Sequence, residues 1–153
     1  KSIFAFCTDY LIRFDRGANA DAYRVLWYGY DCLSADLSGR RMYLLLDKPP
    51  LENSSDSSSE TKGVGEYRIL SVSESRLAEE ASCTITKPEN VVYACMMRDR
   101  ISIIKNNQID FYGINGKLQK SYFFDSPVDS AVKLDNKNIL TVSGSETALY
   151  NIR

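Results

Sequence analysis

Short apolar runs, rich in β-branched and aromatic residues, alternate with turn residues along almost the whole chain. They predict strands near 2–7, 10–15, 23–28, 30–35, 41–47, 66–73, 77–85, 91–97, 100–105, 108–114, 118–124, 128–134, 138–143 and 146–152. No segment sustains a 3.6-residue period over three turns; Ser75 to Ala81 comes nearest and is too short. The expectation is all-β. Turn chemistry agrees with it. Asn106-Asn107, Asn115-Gly116, Ser38-Gly39 and Asp135-Asn136 each separate two runs, and Asn and Gly tolerate the positive φ that tight hairpins use. Pro88 and Pro127 stand just before strands, where a missing N–H matters little.

One segment breaks the pattern. Pro49 to Gly65 is polar, serine-rich and of low complexity, and cannot bury enough apolar surface to offset its ordering entropy. It reads as a flexible loop inserted in a hairpin, a surface insertion of the kind folds tolerate. Ser57, with Glu60 three residues on, is a candidate phosphorylation site.

Comparing strand groups with one another reveals a repeat. Ile12-Arg13-Phe14-Asp15, Arg68-Ile69-Leu70-Ser71, Asp110-Phe111-Tyr112-Gly113 and Ala148-Leu149-Tyr150-Asn151 share an apolar or aromatic core with a small or polar ending. Their third residues, at 14, 70, 112 and 150, are spaced by 56, 42 and 38. Without the serine-rich insertion the first spacing falls near 40, the period of a four-stranded propeller blade. The stretch from Pro127 to Ile152 resembles a WD40-type blade, with Tyr150-Asn151 at the place of that family's Trp-Asp. Asp31 to Leu44 is similar to the same inner-strand, turn, second-strand phrase, and Ser34 to Gly39 loosely resembles the Asp-box hairpin of sialidase-type propellers, a structural element there. The resemblance implies a partial propeller of about three to four four-stranded antiparallel blades, one propeller-like segment over 1–153; a β-sandwich or barrel is the alternative. On this phasing the chain enters at the second strand of one blade and leaves at the third strand of another. Its ends look cut from something longer, or else a partner supplies missing blades or strands.

Composition narrows the chemistry. The 19 Lys and Arg against 20 Asp and Glu give a net charge of -1, so no electrostatic footprint for direct nucleic-acid binding is present. The absence of His removes the commonest general base and the commonest metal ligand. Cys7, Cys32, Cys83 and Cys95 form no C-x-x-C pair, and the apolar runs around Cys7 and Cys95 suit small buried hydrophobes more than zinc or redox sites, with two disulfides as the alternative. Reduced thiols fit the cytoplasm or nucleus. No apolar run reaches the length of a membrane span, and no cofactor is implied. Asp9, Asp15, Asp21, Asp31 and Asp36 are irregularly spaced and read as solvated turn residues. Arg40-Arg41 and Arg98-Asp99-Arg100 are short basic spots that read as strand-edge charges. Trp27-Tyr28-Gly29-Tyr30 is the densest aromatic stretch, suited to blade packing or to an exposed anchor.

The expected function is a non-enzymatic scaffold or adaptor within a multi-subunit intracellular complex, with Trp27, Tyr28, Tyr30, Arg98 and Arg100 as candidate interface residues. The alternative is a propeller enzyme or ligand-binding module with its site at the central channel. If the serine-rich segment is a docking switch, Ser57→Ala and Ser57→Glu shift partner recovery in opposite directions in a pull-down; equal recovery by both removes the idea.

Overall fold

A computed structural model describes residues 2–7, 9–15, 23–48 and 65–152. Among the described residues the strands are β1 (Ser2–Phe6), β2 (Tyr10–Asp15), β3 (Tyr23–Leu26), β4 (Asp31–Ser38), β5 (Arg41–Lys48), β6 (Glu66–Ser73) and β7 (Glu79–Thr86). They continue as β8 (Val91–Met97), β9 (Arg100–Lys105), β10 (Gln108–Gly113), β11 (Leu118–Phe123), β12 (Ser130–Lys133), β13 (Asn138–Ser143) and β14 (Glu146–Asn151). Four separate antiparallel meanders result: β1-β2-β3, β4-β5-β6-β7, β8-β9-β10-β11 and β12-β13-β14. The chain is an all-β partial propeller, and its described residues form two four-stranded blades between two three-stranded ones. A sandwich or barrel would join these strands into one or two larger sheets, and no strand is shared between sheets here.

The repeat fixes the phase of each blade. Positions 14, 70, 112 and 150 fall on β2, β6, β10 and β14, four strands apart each time. The described part of the first blade therefore has counterparts of second, third and fourth strands, and the last blade has first, second and third.

Alternation along β5 shows how the blades stack. Met42, Leu44 and Leu46 point to one side and join Leu11, Trp27, Leu70, Val72 and Leu77 between the first two sheets. Tyr43 and Leu45 point to the other side and join Tyr67, Ile69, Met96, Ile101 and Ile103 between the second and third. A third cluster, with Cys95, Met97, Ile104, Phe111, Val128 and Ile139, fills the space between the third and fourth. Two-sided burial explains the unbroken apolar run Met42 to Leu46, where a half-exposed strand would alternate with polar residues.

Local details depart from the sequence expectation for identifiable reasons. β3 stops at Leu26 because Trp27 turns inward, its N–H donating to the Asp9 carbonyl at 2.9 Å, and Tyr28-Gly29 forms a turn with Gly29 at φ 76°. Ser75 to Ala81 is no helix: the Leu77 N–H closes on the Ser73 carbonyl at 2.9 Å, Leu77 adopts φ 47° and β7 begins at Glu79. The Asn106-Asn107 hairpin forms without positive φ at either residue. Their carbonyls instead accept the Val128 N–H at 2.6 Å and the Phe124 N–H at 2.9 Å, tying this turn to the chain that enters β12. The serine-rich segment, with Ser57, lies outside the described residues; around it, Lys48 faces Glu66 in the β5–β6 ladder.

Burial sets the mutational contrast. Leu44→Ala, at a fully buried position between sheets, destabilises by about 3 kcal/mol, whereas Leu149→Ala on the exposed face of β14 changes stability by less than about 0.5 kcal/mol. Urea denaturation of the two variants beside the parent checks both values.

Candidate functional site

The first strands of three successive blades, β4, β8 and β12, lie side by side, and polar groups join them where apolar side chains end. The Met96 N–H donates to the Ser34 hydroxyl at 3.1 Å. The Lys133 ammonium reaches across β8, donating to the Met96 carbonyl at 2.8 Å and to Asp36 Oδ2 at 2.9 Å. Asp36 also accepts the Arg98 backbone N–H at 2.9 Å and the Asn136 amide at 3.3 Å. Burial pushes the Asp36 carboxyl upward, but the Lys133 and Arg98 hydrogen bonds, the Lys133 charge and Asn136 outweigh it and hold it below its ordinary value. Burial also pushes the Cys95 thiol up to about 12, so it stays protonated as an inert core group. Cys7, Cys32, Cys83 and Cys95 are all free thiols. Asp36 is thus a structural clamp and not a solvated turn residue, and Asp15 pairs with Arg13 at 2.7 Å.

Beside the clamp, at the same end of the blades, lies a cleft of about 490 Å³ lined by Met97, Arg98, Arg100, Asn136, Lys137, Asn151 and Ile152. It sits between the β8–β9 turn and the β12–β13 turn. Its lining holds three cationic side chains and no carboxylate. Arg98 and Arg100 belong to a tight turn and to the start of β9, an interior strand, so they are not the strand-edge charges the sequence suggested. Arg98 adopts φ 60°, a left-handed backbone unfavourable for a side chain with a Cβ, held in place by its N–H bond to Asp36. Asp135, next to the cleft, spends its carboxylate on the Lys137 and Asn138 N–H groups and the Asn138 amide.

The other candidate residues separate. Trp27 is 1% exposed among Leu11, Met42 and Leu44, which agrees with blade packing and removes it from the candidate interface residues. Tyr28 is 70% exposed. Tyr30 is half-buried, donates its hydroxyl to Glu66 Oε1 at 2.5 Å and lies under Lys48 and Arg68. That aromatic stretch sits on the first two blades, whereas Arg98 and Arg100 converge with residues of the last. Asn136, Lys137 and Lys133 were missed from sequence. Lys133 carried a signal: it is a lone charge two residues from Ala131 on a short, otherwise small and apolar inner strand, and so is directed at the neighbouring blade.

A second open surface lies on the last blade. Val132, Leu140 and Leu149 are aligned in register across β12, β13 and β14, with Val132 45% and Leu149 61% exposed. On the first blade Ile3 and Phe14 are opposite one another and also exposed. Next to the free side of β14 is an apolar groove of about 320 Å³ whose lining includes Phe111, Tyr122, Phe123, Phe124 and Tyr150.

No protein-family model matches the chain, and no curated protein matches it. Among solved structures it is similar to BamB from Moraxella catarrhalis, at 9% identity and a TM-score of 0.40, over 95% of this chain and 54% of that one. It is also similar to the computationally designed Ika8 protein, at 9% identity and a TM-score of 0.37, over 97% of this chain and 57% of that one. The chain spans a little over half the length of both. The fold stands on its own sheet topology and not on these likenesses. Among the described residues no helix is long and apolar enough to cross a membrane, and no group of three or more His, Cys, Asp or Glu could hold a metal ion.

The clamp makes stability pH-dependent with a definite sign. Asp36 and Asp110, the latter paired with Lys105 at 2.7 Å, are both held below the ordinary carboxylate value when folded. Their contribution is complete above about pH 4 and is lost as pH falls through the folded values. Lys133→Met, leaving Asp36 largely buried and unpaired by charge, destabilises by about 3 kcal/mol at neutral pH, and Asp36→Asn shallows the loss of stability below pH ~4. Urea midpoints measured across acidic pH test both.

Proposed function

We propose that this chain is a non-enzymatic, WD40-like propeller module of a multi-subunit intracellular assembly, and that further blades, of a longer chain or of a partner protein, cover its open end faces. The observation that carries this reading is the register-aligned apolar stripe Val132, Leu140 and Leu149 on the last blade, matched by Ile3 and Phe14 on the first. These are the same aliphatic and aromatic types that the three internal clusters bury between blades. A single exposed Leu is ordinary, but a stripe running across three paired strands is the surface of a blade that lacks a neighbour. A partner of matching chemistry is another antiparallel sheet with an apolar face. The free side of β14, beside its aromatic groove, offers the same partner a strand-pairing edge.

Acid–base catalysis by carboxylates at the channel would need one free to act, and Asp36 is committed to Lys133, Arg98 and Asn136. That supports the scaffold reading over a channel enzyme.

Produced alone, residues 1–153 should self-associate at micromolar concentration and bind a dye specific for exposed apolar surface. The double variant Val132→Lys, Leu149→Lys should shift the chain toward monomer in sedimentation velocity without lowering its unfolding midpoint. A parent chain that is monomeric, dye-silent and cooperatively unfolding would count against open blade faces.

A further inference from the structure

We propose that the cleft between the β8–β9 and β12–β13 turns is a binding site for an acidic linear peptide of a partner protein, one whose Asp or Glu side chains alternate with apolar ones. This deepens the interaction-module reading and rests on it. The cleft does not include the stripe residues Val132, Leu140 and Leu149, although Asn151 and Ile152 line both it and the groove beside β14.

The lining dictates the ligand chemistry. Arg98, Arg100 and Lys137 bring three cationic groups to one cavity of about 490 Å³. None of the three forms an ion pair among the described residues, and the cleft wall carries no carboxylate. Of the nearby acids, Asp36 is occupied by Lys133 and Asn136, and Asp135 by the N–H groups of its own turn, with the Lys137 charge also acting on it. Asp99, between the two arginines, is exposed. A guanidinium pair presents planar forks of N–H donors that match carboxylates two oxygens at a time. Ile152 adds apolar wall beside the charges, with the core residue Met97 behind it, and the exposed Asn151 adds an amide carbonyl able to accept from a peptide backbone. An isolated small anion would satisfy the cations and leave the Ile152 wall and the exposed Asn151 amide unused; an extended acidic and apolar segment uses all of them.

The site is also pre-organised. Arg98 is fixed by its backbone bond to Asp36, and Asn136 by its side-chain bond to the same carboxylate, so the clamp holds two parts of the lining from different blades. Less ordering is then required on binding.

The experiment is fluorescence anisotropy with the full chain and a short labelled peptide alternating Glu and Leu, beside the same peptide with Gln for Glu. The Glu peptide should bind with an affinity that falls as salt rises, and the Gln peptide at least about tenfold more weakly. The pair Arg98→Gly, Arg100→Gln should lose about tenfold in affinity, the glycine relieving rather than adding backbone strain; Arg40→Gln, Arg41→Gln, at a different basic cleft, should not. Equal binding of both peptides, equal loss in the Arg40, Arg41 control, or binding of a phosphoserine version alone would overturn the proposal. Val132→Lys, Leu149→Lys should leave peptide binding intact. Lost peptide binding with retained self-association would sink only the cleft, and the reverse would sink only the covered-face reading.

Discussion

A β-sheet with apolar side chains on both faces has to be covered on both faces, and this constraint organises everything else in the molecule. β5 and β9 meet it by sending alternate residues in opposite directions, so Leu44 and Leu45, adjacent in the chain, belong to different inter-sheet clusters. Each sheet then becomes the wall of its neighbour's core. Hydrophobic burial of this kind is non-directional, and direction comes from the polar seam on the inner strands. There Ser34, Asp36 and Lys133 meet backbone groups of Met96 and Arg98 and set how neighbouring blades sit.

Much of this fold was legible in the sequence because its controlling signals are local. Strand periodicity, Gly39 and Gly116 at hairpins, and the recurrence at Phe14, Leu70, Tyr112 and Tyr150 all act over a few residues. What was not legible depends on contacts far apart in sequence. Trp27 and Tyr28 are neighbours of similar composition, yet one is buried under Leu11 and Leu44 and the other faces solvent. Asp36 resembles any hairpin aspartate until Lys133, 97 residues away, is placed against it. The candidate cleft was half visible: Arg98 and Arg100 stood out as a basic spot, but Asn136 and Lys137 join them only through the packing of the fourth sheet on the third.

The molecule's surfaces divide by chemistry. Its end faces and the free side of β14 are apolar and suit sheet-on-sheet contact of high area. The turn-bearing end near the seam is basic and concave, and suits a narrow, charged contact. A module that carries both kinds can be built into an assembly through one and recruit through the other, since apolar area sets residence whereas charge sets encounter rate and selectivity.

The Asp36–Lys133 bridge has one more consequence. Stacked repeats ordinarily touch only their immediate neighbours, so their stability behaves as a linear chain of units and nearest-neighbour interfaces, and an end unit can fray alone. This bridge joins the second sheet to the fourth directly, passing over the third at the Met96 carbonyl. The last blade is therefore fastened to a unit two places away, and the opening of either one loosens both.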